Sequence, residues 1–163
     1  MIEAVIFDLD GTLVQIPIDY EKMLQEFKKI LKTDNLKPIA EKIEKTGEVT
    51  KKEIFGLWDR AEIAASKEIK PNKKGLEIYR KFLDKPHALI TLQGRKIVHI
   101  ILENHQLNFD VIITREDSLN RTMQLKKASD QHKVPCPKIL FVGNTDGDEA
   151  AAARVGCQII RIG

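Results

Sequence analysis

Cysteine is nearly missing from this chain, with two in 163 residues. Cys136 lies between Pro135 and Pro137, Cys157 opens an apolar run, and the two form no close metal-ligand pair. A disulfide scaffold and a thiolate metal site are thereby excluded, and both thiols are expected to be reduced. Aromatic residues make up only 6% of the chain. No apolar run approaches the roughly 18 residues a membrane helix needs. The N-terminus lacks a basic start followed by an apolar core and a small-residue cleavage site. A cytoplasmic protein with no membrane partner is the expectation. Charge of one sign is lacking too. Lys and Arg number 27 against 24 Asp and Glu, for a net charge of +3. Lys22, Lys28, Lys29 and Lys42 are interleaved with Glu21, Glu26, Glu41 and Glu44, which reads as a solvated helix surface. A nucleic-acid surface concentrates its cations and interleaves aromatics. No nucleic-acid partner is expected.

What is present is an ordinary globular composition, 42% hydrophobic and 31% charged. Short apolar runs recur at Ala4 to Phe7, Ala88 to Thr91, Val111 to Ile113, Ile139 to Val142 and Gln158 to Ile162. Helix-length segments separate the later ones, at about 75–83, 96–104, 122–132 and 148–154. Strand alternating with helix predicts an α/β fold, a parallel sheet with helices on both faces.

The stretch after Val14 breaks this rhythm. It contains no convincing strand. Met23, Leu24, Phe27, Ile30 and Leu31 repeat at helical spacing. Pro38 opens a second helix. Thr50 and Glu53 form a capping box for a third, which runs through Phe55, Trp58 and Ala61. The predicted organisation is a core of residues 1–14 and 73–163 with a helical insertion over 15–72.

The chemistry concentrates where the first strand ends, in Asp8-Leu9-Asp10-Gly11-Thr12. Ligands of open parallel sheets bind at the carboxyl ends of strands. Asp8 and Asp10 would stand there together. Two close carboxylates need a cation, or a proton on one of them. Mg²⁺ suits them, because it takes one or two carboxylates together with substrate phosphate. One carboxylate can then act as nucleophile and the other as general acid and base. An isolated Asp-x-Asp would only decorate a turn. Here two further strands also end in polar groups, one at Thr91 and the other in the loop Gly143-Asn144-Thr145-Asp146-Gly147-Asp148.

Phe7-Asp8-Leu9-Asp10-Gly11-Thr12-Leu13 resembles the first motif of the haloacid dehalogenase-like superfamily, in its phosphatase branch with a small helical cap. Thr91 resembles the second motif, and the loop from Gly143 to Asp148 resembles the fourth. The resemblance implies a three-layer Rossmann-like core, with residues 15–72 as the cap that selects the substrate. It implies that Asp8 takes the phosphoryl group and that Asp10 protonates the leaving group and then activates water. Mg²⁺ would be held by Asp8, Asp10, Asn144 and Asp148. Gly11, Thr12, Gln93 and Gly94 would bind phosphate, with Thr91 on a phosphoryl oxygen. The implied substrate is a small phosphorylated metabolite such as phosphoglycolate. Phosphomutase chemistry and phospho-ligand binding without turnover are the alternatives, and the oligomeric state stays open.

Two positions depart from the family pattern. Asn144 stands where the fourth motif usually has Asp, which predicts weaker Mg²⁺ binding, with Asp146 as a possible compensation. Arg121 stands where a Lys is usual, with Lys126 and Lys127 as alternatives. Trp58 reads as packing, and Lys51 and Lys52 as a solvated pair near a cap loop.

Overall fold

The computed structural model describes residues 1–163. β1 (Ala4–Phe7) is apolar throughout, and all four residues are buried. The chain then forms β2 (Val14–Gln15), α1 (Tyr20–Leu31), α2 (Ile39–Glu44), α3 (Glu48–Ala64), β3 (Lys70–Pro71) and α4 (Lys73–Lys81). Next come β4 (His87–Ile90), α5 (Arg95–His105), β5 (Val111–Ile113) and α6 (Arg121–His132). β6 (Ile139–Gly143), α7 (Asp146–Val155) and β7 (Gln158–Arg161) complete it.

β5, β4, β1, β6 and β7 lie side by side in that order, all parallel. Alternate residues of each strand feed opposite faces. Val5 and Phe7 of β1, Leu89 of β4, and Leu140 and Val142 of β6 enter one hydrophobic cluster. Ala4, Ile6, Ala88, Ile90, Ile139 and Phe141 enter a second, covered by Leu125 and Ala128 of α6 and by Ala151 and Ala152 of α7. The result is the three-layer α/β arrangement that strand–helix alternation predicts. The chain steps outward from β1 through β4 to β5, then crosses to the other side of β1 for β6. The carboxyl end of β1 is therefore the switch point, where such sheets leave a crevice.

The segment between β1 and α4 is helical, as predicted, but it is not without strands. β2 and β3 pair antiparallel, Val14 with Pro71 and Gln15 with Lys70. A two-residue strand has too little alternation to be read from sequence. The Asn72 amide adds a 2.8 Å bond to the Leu13 carbonyl. The third helix also starts before Thr50. Its N-cap is Gly47, and Thr50 lies inside the first turn. The predicted capping box is thus not formed. A true capping box is found instead at α7, where Thr145 and Asp148 cap each other's backbone N–H groups. That helix begins at Asp146, two residues earlier than predicted.

The insertion shares its core with the sheet. Phe27 of α1, Ile43 of α2, and Ile54 and Trp58 of α3 belong to the same cluster as Phe7. Phe27 and Trp58 meet edge to face at 5.8 Å. Trp58 is packing, as its spacing suggests. No helix is long and apolar enough to cross a membrane.

Candidate active site

Asp8 follows directly from β1 and its backbone N–H donates to the Val142 carbonyl at 3.0 Å. The strand pairing that builds the core thus fixes the residue. The residue is 4% exposed. The Arg121 Nη2 lies 3.1 Å from one carboxylate oxygen, and the Thr12 hydroxyl donates at 3.4 Å to the other. Burial pushes the Asp8 pKa up to about 6, against the attraction of Arg121. The neighbouring charges of Asp148 and Asp10 push the same way.

Arg121, the first residue of α6, spreads its guanidinium over three acceptors. Besides Asp8, its Nε pairs with Asp148 Oδ1 at 3.1 Å and its Nη1 donates to Gln124 Oε1 at 3.1 Å. The planar fork suits this task. Of the three cations proposed for this position, only Arg121 reaches Asp8. Lys126 is exposed, and Lys127 donates to the Asp117 carbonyl at 3.1 Å.

Asp10 turns its carboxylate toward the base of the insertion. It accepts from the Ile16 N–H at 2.9 Å and from the Tyr20 hydroxyl at 3.4 Å. Burial raises its pKa, and these donors hold the rise back. Gly11 has φ +83°, and a Cβ there would run into the Asn144 side chain. The Thr12 hydroxyl also lies 3.4 Å from Asn144 Oδ1, so it bridges Asp8 and Asn144.

Asp148 is buried and fully engaged. Its Oδ2 accepts from the Asn144 and Thr145 N–H groups at 3.0 and 3.2 Å, while its Oδ1 faces Arg121. Asp146 points away, exposed and paired with Arg161 at 2.6 Å. Thr91 is buried at the end of β4, and its hydroxyl donates to Gln93 Oε1 at 2.8 Å. The Gly94 N–H is taken by Glu62 Oε1 at 3.2 Å. Of the residues predicted to form the site, Asp8, Thr12, Arg121, Asn144 and Asp148 are directly linked. Asp10 branches toward the insertion, and Thr91, Gln93 and Gly94 form a separate turn.

Gln124 was not anticipated. It is buried, orients Arg121, and donates through Nε2 to the carbonyls of Thr91 and Ser118 at 2.8 and 2.9 Å. Its place one helical turn after Arg121 was the available signal. Tyr20, Glu62 and Arg115 were missed as well, because each joins elements far apart in sequence.

Asp8 and Asp148 share one cation, Arg121, and the Asp10 carboxylate adds a third negative charge close by. The surplus negative charge would repel an anionic ligand. No group of three His, Cys, Asp or Glu side chains is gathered to hold a metal. The available oxygens are the Asp8 carboxylate and the Asn144 amide, both beside Thr12. This hard, sparse donor set fits Mg²⁺, which takes few protein ligands and keeps several waters.

The family model for haloacid dehalogenase-like hydrolases matches residues 5–162. The chain belongs to that family. Solved structures similar to this hydrolase share its architecture. A haloacid dehalogenase-like hydrolase from Streptococcus pneumoniae is 18% identical, with 99% of this chain and 85% of that one covered and a TM-score of 0.70. A putative phosphoglycolate phosphatase from Lactobacillus plantarum is 16% identical, covering 98% and 86%, at a TM-score of 0.71. An L-2-haloacid dehalogenase from Xanthobacter autotrophicus is 15% identical, covering 99% and 78%, at 0.64. Identity this low establishes the shared fold of these hydrolases and not a shared substrate. A search of curated proteins gave no match.

Proposed function

We propose that this hydrolase is a Mg²⁺-dependent phosphatase acting through an aspartyl-phosphate on Asp8. The observation that carries the reading is the pairing of a buried Asp8, held against Arg121, with a second carboxylate two residues on. A dehalogenase is also among the structural neighbours. Dehalogenases of the family lack the second Asp, so Asp10 favours phosphoryl transfer.

Asp8 attacks phosphorus while the bond to the leaving oxygen breaks, and Asp10 gives that oxygen its proton. Asp10 then takes a proton from the water that hydrolyses the acyl phosphate and regenerates Asp8. With a pKa of about 6, Asp8 is ionised at neutral pH and more basic than an ordinary carboxylate. Arg121 holds Asp8 in place and offsets charge on the phosphoryl group. Thr12 orients Asp8, and on binding Thr91 would turn its hydroxyl from Gln93 Oε1 to a phosphoryl oxygen, with the Gln93 amide beside it. Asp8, Asn144 and the Asp10 carbonyl would hold Mg²⁺, with Asp148 supporting Arg121 and the Asn144 backbone. When bound, Mg²⁺ supplies charge neutralisation at the phosphoryl oxygens. Residues 15–72 act as the cap, excluding water and bulky polymers from the core of residues 1–14 and 73–163. The substrate is a small phosphorylated metabolite of phosphoglycolate type, met in the cytoplasm, with neither nucleic acid nor membrane as partner.

The test is phosphate release from p-nitrophenyl phosphate and a panel of small phosphometabolites, with and without Mg²⁺. Release that needs Mg²⁺ and disappears in Asp8→Asn is the expected result. Folded protein that releases none overturns the reading.

A further inference from the structure

A second charged cluster lies beside the site and outside the chemistry just described. Arg115 follows β5 by two residues and its side chain is wholly buried. Its guanidinium contacts Glu62 at 2.9 Å through both terminal nitrogens and also pairs with Asp59. Both acids sit on α3, more than 50 residues earlier in the chain. The ring of Trp58 covers the guanidinium at 4.5 Å and that of Phe55 at 5.5 Å. Helix α3 therefore closes around Arg115 from one side.

From the other side Arg115 holds the turn after β4. Its backbone N–H donates to the Gln93 carbonyl at 3.3 Å, and its Nη1 to the Leu92 carbonyl at 3.2 Å. Glu62, fixed by Arg115, accepts from the Gly94 N–H. The same turn holds the Thr91 hydroxyl through Gln93. Position 94 must be glycine for this to close, because a Cβ there would meet Asp59 and would lie 2.6 Å from Arg115 Nη2. One guanidinium thus ties together the insertion and the turn that ends β4.

We propose that Arg115 is a positioning residue that makes the seating of α3 and the ordering of the Thr91–Gly94 turn a single event. If α3 lifts, Glu62 leaves the Gly94 amide, and the turn loses the contact that fixes it. Parting the buried Arg115 from the buried Glu62 and the half-buried Asp59 is strongly unfavourable, so intermediate positions of α3 are scarcely populated. The crevice is then either closed with an ordered turn or open with a loose one. The geometry stands without the phosphatase reading, and only the kinetic arm of the test rests on it.

The test uses Arg115→Lys, which keeps the charge and loses the fork, and Glu62→Gln, which keeps the shape. Residue-resolved amide exchange is measured for both and for the native chain. The Gly94 amide and the α3 amides around Trp58 are expected to exchange faster by the same factor, about tenfold or more, while β1 and β4 stay unchanged. Quenching of Trp58, the sole tryptophan, by acrylamide rises in parallel. With p-nitrophenyl phosphate, KM rises about five- to tenfold because the turn is no longer preformed, whereas a smaller folded fraction would lower kcat alone. An unchanged Gly94 amide, or faster α3 exchange without it, overturns the proposal. A native protein that releases no phosphate overturns the phosphatase reading and leaves the exchange result to decide this one.

Discussion

Asp8→Asn is expected to abolish phosphate release and at the same time to stabilise the fold. Asp8 binds its proton more tightly in the native protein than in the unfolded chain, with the pKa moved from 3.8 to about 6. Native stability therefore falls as pH rises through that interval, and it stays lowered above pH 6. The gap of about two pH units, at about 1.4 kcal/mol each, puts the cost of an ionised Asp8 near 3 kcal/mol as an upper value. Asparagine keeps the shape and an acceptor for Arg121, and it removes the charge. A gain of about 2 kcal/mol at pH 7.5 is expected, or roughly 4–8 °C in Tm for a chain of this size. Urea unfolding of both proteins from pH 3.5 to 8 checks it. The two curves should converge below pH 4 and separate through pH 6. A variant no more stable than native at pH 7.5, or a gap that persists at pH 4, would refute the reasoning. Mg²⁺ should stabilise the native protein and leave the variant nearly unaffected, since only the former offers it the Asp8 carboxylate beside Thr12 and Asn144.

Asn144→Asp should lower the Mg²⁺ concentration for half-maximal activity by about tenfold, because it puts a carboxylate in place of the neutral amide beside Thr12 that is proposed to hold the ion. A metal titration of phosphate release reads this directly. Gly75→Ala should cost about 1–3 kcal/mol in urea unfolding, because its Cβ would strike the Thr12 backbone carbonyl, which cannot swing aside. An α4 that accepts alanine there unharmed would mean that Gly75 does not set the spacing between helix and loop.

The sheet and the first two site residues were readable because they are local. Ala4 to Phe7 is uniformly apolar and ends abruptly at Asp8, which is what a buried parallel strand feeding a crevice looks like. The five runs correspond to the five strands of the sheet within a residue or so at their ends. Arg121 was legible as a cation standing where the family pattern has a Lys, and its three acceptors were not. Asp148 looks like a metal ligand when only its type and position are known. In the fold its oxygens are filled by two N–H groups and Arg121. The β2–β3 ribbon escaped notice because two residues carry no period, and Thr50 misled because Glu53 follows it by three. Arg115 and Glu62 were invisible for a different reason. Each looks like a surface charge in its own segment, and only the seating of α3 against the loop after β5 and the turn after β4 brings them together.

The central place of β1 in the sheet has a consequence for how the protein is made. The strand that leads into Asp8 is made before the other four of its sheet, yet its two neighbours, β4 and β6, come much later in the chain. Val5 pairs with His87 on one side and Leu140 with Val5 on the other. No N-terminal fragment shorter than about 140 residues can satisfy both edges, so folding waits on long-range pairing and is slow for a chain of this length. Until then at least one edge of a four-residue apolar strand stands open, a state prone to join other chains. The same central placement that buries Asp8 on all sides makes the nascent chain dependent on finishing its last third before the site exists at all.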